Sequence, residues 1–295
     1  MSPNAPHLSG QPAVKISTAR HGNGPRRVVC LHGFPDDPGT FSPILGAITE
    51  AGATVVTPYL RGYGPSSPSP RNHYRLHDLG MDVLRVMDAQ RWEQAVIVGH
   101  DWGAMAAYMA AAIAPERIQG LVAMSVPLPM QFLSGLRFSD QRRRSSYMAF
   151  FQLGRLAESA LARRDFEAID NLWERWSPHL ELPHEHLAQV KATFTYPHTV
   201  RAALSYYRQI LPWGPTGWIP WLKSYRLATT PMQSECLILH GASDGCIGPE
   251  LFSQETPASH VRTAMHPTAG HFLQWEDPEW TSNQILRFLD SIMGR

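Results

Sequence analysis

Two hydrophobic patterns alternate along most of this chain. Short, nearly unbroken apolar runs at 28–31, 54–58, 95–98, 120–124 and 236–239 read as strands buried on both faces. Between them, apolar residues recur at helical spacing, as at Leu79, Val83, Val86 and Met87, and at Trp102, Met105, Ala106, Met109 and Ile113. The spacing predicts helices over 41–50 and 78–90, and a last helix burying Ile285, Phe288, Leu289 and Ile292. A first strand is expected over 14–18, a glycine-rich turn over 20–27 and a short strand over 261–265. Strand, helix and strand in alternation predict a mostly parallel α/β sheet flanked by helices, with right-handed crossovers.

The pattern changes after Pro127. No convincing strand occurs between about 128 and 228, where the chain is helical and rich in Arg and aromatic residues. The sheet pattern then resumes. This predicts one α/β core from 1–127 and 229–295, with a helical insertion over 128–228. At 295 residues the chain is long enough to bury a core of that size.

The strand at 95–98 runs into Gly99-His100-Asp101-Trp102-Gly103, and a helix follows at once. Small-x-Asp-x-small between strand and helix has the layout of a nucleophile elbow, with Asp in place of Ser. A carboxylate is ionised at neutral pH and needs no base to attack saturated carbon, leaving an ester on the enzyme. Taken alone, Asp101 also fits a helix N-cap. Other strand ends carry more. His32-Gly33-Phe34-Pro35 follows the strand at 28–31 and brings the Phe34 N–H towards the same crevice. Asp244 follows the strand at 236–239, and His271 follows the one at 261–265. Asp101, then Asp244, then His271 is the order nucleophile, acid, base of hydrolase triads. Arg61-Gly62-Tyr63-Gly64 lacks the third glycine of a dinucleotide fingerprint; it reads as a structural loop whose Arg61 ties neighbouring backbone together.

Composition narrows the field. A net charge of +1 gives no nucleic-acid footprint. Three cysteines, Cys30, Cys236 and Cys246, with no C-x-x-C, suit reduced thiols in a cytoplasmic protein. Residues 1–13 carry no apolar signal-peptide core, and no stretch reaches about 18 apolar residues, so neither export nor a membrane span is expected. None of the 14 histidines shows a metal-binding spacing, with His184 and His186 read as flanking Glu185 on a surface. The arginines at 142–144 read as a solvated helix face.

Taken together, these motifs resemble the α/β-hydrolase superfamily, and within it the epoxide hydrolases that use an Asp nucleophile. The resemblance covers nearly the whole chain and makes the helical insertion a cap. It implies two cap tyrosines that hydrogen-bond the epoxide oxygen. Tyr207 in Leu204-Ser205-Tyr206-Tyr207-Arg208 matches one, and Tyr147 in Ser146-Tyr147-Met148-Ala149-Phe150-Phe151-Gln152 resembles the other. The alternative for each is an amphipathic aromatic on a helix, and Tyr206 is read that way. The resemblance further implies Asp101 as nucleophile, His271 as base oriented by Asp244, and the backbone N–H groups of Phe34 and Trp102 as oxyanion hole. Trp102, Phe150, Phe151 and Trp213 suggest a pocket for an apolar aryl or alkyl epoxide. No cofactor, metal or membrane partner is expected, and the assembly is a monomer or homodimer. Haloalkane dehalogenases share most of these motifs. They commonly place Asn where Phe34 stands, and fluoroacetate dehalogenases place Arg where Trp102 stands. A hydrolase-fold protein without catalysis, used only for binding, is the remaining alternative.

Overall fold

The computed structural model describes residues 14–210, 222, 225–227, 230, 232–252 and 259–293, and all structural statements concern these. Trp213, Trp218, Trp221 and residues 1–13 lie outside them, as does the expected end of the insertion at 228. The strands are β1 (Thr18–His21), β2 (Arg26–Leu31), β3 (Ala53–Pro58), β4 (Ala95–His100), β5 (Ile118–Met124), β6 (Glu235–Gly241) and β7 (Val261–His266). They form one sheet in the order β1-β3-β2-β4-β5-β6-β7. β1 runs antiparallel to β3, and every other pairing is parallel. The mostly parallel α/β sheet read from the sequence is thus the observed one.

Helices α1 (Ser42–Glu50), α2 (Leu76–Ala89) and α3 (Trp102–Ile113) connect the first strands, and α10 (Leu273–Glu276) and α11 (Pro278–Met293) close the chain. Two apolar clusters form. One holds Val28, Val55, Val96, Val98 and Val122 with Phe41, Ile285 and Phe288. The other holds Val29, Ile97 and Leu121 with Leu79, Val83 and Ala106. Alternate residues of each strand feed opposite clusters, which is why the strands read as continuous apolar runs rather than alternating ones.

The first strand differs from expectation. Its pairing with β3 begins at Thr18, while residues 15 and 17 bond Ser67 Oγ and Ser66 Oγ instead. β1 is an exposed edge with no buried face, so it leaves no apolar pattern to read.

Between β5 and β6 the described chain is helical: α4 (Pro129–Gly135), α5 (Ser139–Arg144), α6 (Ser146–Phe150), α7 (Arg155–Trp176), α8 (His184–Phe194) and α9 (Thr199–Gln209). α7 breaks at Arg163–Phe166, where Arg164, Asp165 and Phe166 take positive φ of 49°, 54° and 59°. No described helix is long and apolar enough to cross a membrane.

The sheet order reverses between β2 and β4. β3 lies to one side of β2, and the chain then crosses to build β4 to β7 on the other. At such a switch point the loops leaving the two strands diverge and open a crevice at their carboxyl ends. The loop after β2 carries Phe34, and the turn after β4 carries Asp101.

Candidate active site

Asp101 sits alone between β4 and α3, at φ 50° and ψ −118°. Non-glycine residues rarely hold this conformation. The surroundings impose it: Asp101 N–H donates to Met124 O at 3.2 Å, and its carbonyl accepts from Ala104 N at 2.9 Å as α3 starts. The turn closes so tightly on β2 that a Cβ at Gly103 would stand 2.0 Å from Leu31 O. At Gly33 a Cβ would meet Asp101 Cβ at 2.3 Å. These two glycines let the Phe34 loop approach, and Phe34 N–H donates to Asp101 Oδ1 at 2.8 Å. Trp102 opens α3, where its own N–H has no intrahelical acceptor.

His271 and Asp244 reach the same place from the ends of β7 and β6. His271 Nδ1 bonds Asp244 Oδ2 at 2.8 Å. Asp244 Oδ1 accepts from the N–H groups of Cys246 and Ile247 at 2.6 and 2.9 Å. His271 Nε2 is buried without a hydrogen-bond partner, 3.8 Å from Asp101 Oδ2. Burial pushes the His271 pKa down, but the Asp244 and Asp101 carboxylates outweigh it and raise the ring to about 10. The backbone of His271 is held from several sides. Its N–H donates to Trp176 O and Ser177 Oγ, while its carbonyl accepts from Ser125 Oγ at 2.6 Å. His100 Nε2 bonds that carbonyl too, at 2.9 Å. Burial and the neighbouring His271 push His100 down to about 4, so it stays neutral and donates.

The helical segment supplies two tyrosines. Tyr147, Tyr207, Asp101 and Trp102 line one pocket with Met105, Val126, Phe132, Met148, Ile210 and Ile247. Its cavity volume is about 50 Å³, it opens to solvent, and its lining is mostly apolar. The two tyrosine rings lie 5.7 Å apart. Tyr207 Oη is buried without a partner, and Tyr147 Oη lies 3.4 Å from Cys246 Sγ. Burial raises both phenols well above their ordinary pKa, with Asp101 adding to the effect, so both are neutral donors. Tyr207 faces inward because its neighbours are anchored elsewhere. Tyr206 Oη donates to Arg61 O at 2.8 Å, the structural role read for it from the sequence. Arg208 donates to the carbonyls of Phe151 and Gly154 and pairs with Glu158 at 2.7 Å. Those bonds tie α9 to the end of α6, which carries Tyr147. Arg61 is a structural anchor: it pairs with Asp82 and donates to the carbonyls of His73 and Asp78.

Two expected pocket residues stand elsewhere. Phe150 is 43 % exposed and does not line the pocket. Tyr147 and Phe151, four residues apart, share the inward face of this turn, and Phe150 falls beside it. Phe151 is buried behind the tyrosines, 5.1 Å from the Tyr207 ring and 5.4 Å from that of Phe34. Trp176, Ser177, Ser125, His100 and Cys246 were not read as site residues. The part of Trp176, Ser177, Ser125 and Cys246 consists of contacts or packing made across distant segments, and no local sequence signal marks them. His100 lies within the elbow motif, and its bond to His271 O across the fold is what gives it a part.

Among the described residues, two buried groups of side chains lie close enough to hold a metal ion, Asp244-Cys246-His271 and Asp36-Asp37-His186. In both, hydrogen bonds already occupy most donor atoms, as His271 Nδ1 on Asp244 and His186 Nε2 on Asp36 illustrate.

A family model described as the alpha/beta hydrolase fold matches residues 26–278. Epoxide hydrolase 4 of Mus musculus is 28% identical over 271 residues, covering 89% of this chain and 72% of that protein. AB hydrolase superfamily protein YfhM of Bacillus subtilis is 27% identical, covering 94% of each chain. Among solved structures, an epoxide hydrolase of Bacillus megaterium with a bound inhibitor superposes with a TM-score of 0.78. It is 25% identical and covers 94% of this chain and 97% of its own.

Proposed function

This chain belongs to the α/β-hydrolase fold family, and we propose that within it the protein opens epoxides to vicinal diols through a covalent ester on Asp101. One observation carries the reading. A carboxylate at the elbow is backed by the His271–Asp244 pair and faced across an apolar pocket by two buried phenols. A phenol pair suits an epoxide, whose oxygen stays attached to the substrate and needs a proton. A halide needs none. Phe34, beside the nucleophile, offers a halide no side-chain donor. The family resemblance of the relatives supports the same conclusion.

In this reading the segment 128–228 is a cap that closes the pocket over the core formed by 1–127 and 229–295. The Asp101 carboxylate attacks one epoxide carbon from behind as the bond from that same carbon to the epoxide oxygen breaks. Tyr147 or Tyr207 passes its proton to the leaving oxygen, and His271, protonated at rest, makes good that proton. The product is a hydroxyalkyl ester on Asp101 beside a neutral imidazole. Esterification also removes the Asp101 charge that helped hold His271 protonated, so the ring becomes a usable base. His271 then takes a proton from water as its oxygen attacks the ester carbonyl. The Phe34 and Trp102 N–H groups stabilise the oxyanion. Collapse frees the diol and restores the carboxylate and imidazolium. Met105, Val126, Phe132 and Ile210 favour apolar aryl or alkyl epoxides.

The test is to replace Tyr147 and Tyr207 singly by Phe and follow single turnovers of styrene oxide and a bromoalkane. Each variant is expected to slow ester formation from the epoxide by on the order of a hundredfold, the usual worth of a positioned acid. Bromoalkane turnover that outpaces epoxide turnover in the wild type, and survives both substitutions, would point to a dehalogenase instead.

A further inference from the structure

The loop that carries the Phe34 N–H is gripped by the helical segment at three successive residues. Trp173 Nε1 on α7 donates to Pro35 O at 3.1 Å. His186 Nε2 on α8 bonds Asp36 Oδ1 at 2.7 Å. Thr193 Oγ1, also on α8, donates to Asp37 Oδ2 at 2.9 Å. The expected surface position of His186 is therefore wrong: it is 6 % exposed, on the inward face of α8, stacked on Trp275 with ring centres 4.8 Å apart. Asp36 and Asp37 are wholly buried. Nothing in the reaction as described uses any of these side chains.

We propose that the Asp36–His186 pair is a clamp through which helix α8 sets the position of the Phe34 N–H. His186 is then a positioning residue for hydrolysis of the ester, a role that rests on the epoxide reading above. The loop between β2 and α1 has no ladder hydrogen bonds to fix it. Asp36 is two residues from Phe34, within about 7 Å along the chain, so anchoring its carboxylate restricts where the Phe34 N–H points. Asp36 Oδ1 also accepts from Asp37 N–H at 2.8 Å, a bond within the loop, so His186 is the partner that ties this carboxylate to α8. A buried carboxylate that loses its cationic partner is driven to move or take up a proton. Burial alone would push His186 down, but Asp36 and Asp37 raise it above its ordinary value. Those two are the titratable groups facing the ring from the loop; α7 and α10 present Trp173 and Trp275 to it. An oxyanion donor matters most where charge develops on the ester carbonyl, so loosening it slows hydrolysis more than formation.

The experiment joins NMR of the ¹⁵N-labelled full chain to single-turnover kinetics with styrene oxide. In the wild type, the His186 ring should titrate above its ordinary value, and the Phe34 amide resonance should shift with the same midpoint. In His186→Gln that pH-dependent shift should vanish. Ester hydrolysis should then slow about tenfold, with ester formation nearly unchanged, as expected for a displaced oxyanion donor. Thr193→Val, which removes only the Asp37 bond, should shift the same balance more weakly, and serves if His186→Gln does not fold. A Phe34 amide indifferent to His186, or equal slowing of both steps, would overturn the clamp. Failure of the wild type to form an ester would instead sink the epoxide reading, and the amide titration alone would then decide whether the clamp exists.

Discussion

At the scale of single residues, His271 is the group whose charge state the chemistry turns on. Two carboxylates face it, Asp244 bonded to Nδ1 and Asp101 3.8 Å from Nε2. Burial alone would favour the neutral ring; the carboxylates reverse that. Neutralising Asp101 therefore has a definite sign. In Asp101→Asn, one of the negative charges that favour imidazolium is gone, and the His271 titration should fall below the wild-type midpoint near 10. ¹⁵N NMR of the two proteins measures this directly. An unchanged midpoint would show that Asp244 alone sets the proton affinity and that esterification does not switch the base on.

At the scale of elements, the elbow depends on how closely β4, α3 and β2 pack. Gly103→Ala would place a methyl 2.0 Å from Leu31 O, a backbone atom with no room to retreat. The variant is expected to lose about 1–3 kcal/mol or more, read as a lower urea midpoint at constant slope. This scale also shows what the sequence could and could not reveal. Strands buried on both faces, such as β4, announce themselves as apolar runs, and the groups at their carboxyl ends follow from the order of the strands. Hence Asp101, Asp244 and His271 were legible together. Tyr207 was found through resemblance, because an inward tyrosine on an amphipathic helix looks like any other. β1 was misplaced because its residues are exposed on an edge. His186 was misread because its burial comes from Asp36 and Trp275, 150 residues before it and 89 after, which no local period encodes.

At the scale of the whole molecule, two bodies of chain complete one pocket. The sheet carries the candidate nucleophile, base and acid at its carboxyl edge, and the helices between β5 and β6 carry both tyrosines. Bonds between the two set the geometry. Ser177 Oγ and Trp176 O hold the backbone of His271, Tyr206 reaches Arg61, and Trp173 lies flat on Phe272 at 3.5 Å. The assembled pocket can be followed through one turnover by reacting excess enzyme once with styrene oxide in oxygen-18 water, then weighing the diol and the peptide that holds Asp101. Attack by Asp101 should give a first diol carrying unlabelled oxygen from Asp101, with label left in that peptide. Labelled diol beside an unlabelled peptide would mean that water attacks the epoxide directly, and would contradict the covalent ester on Asp101.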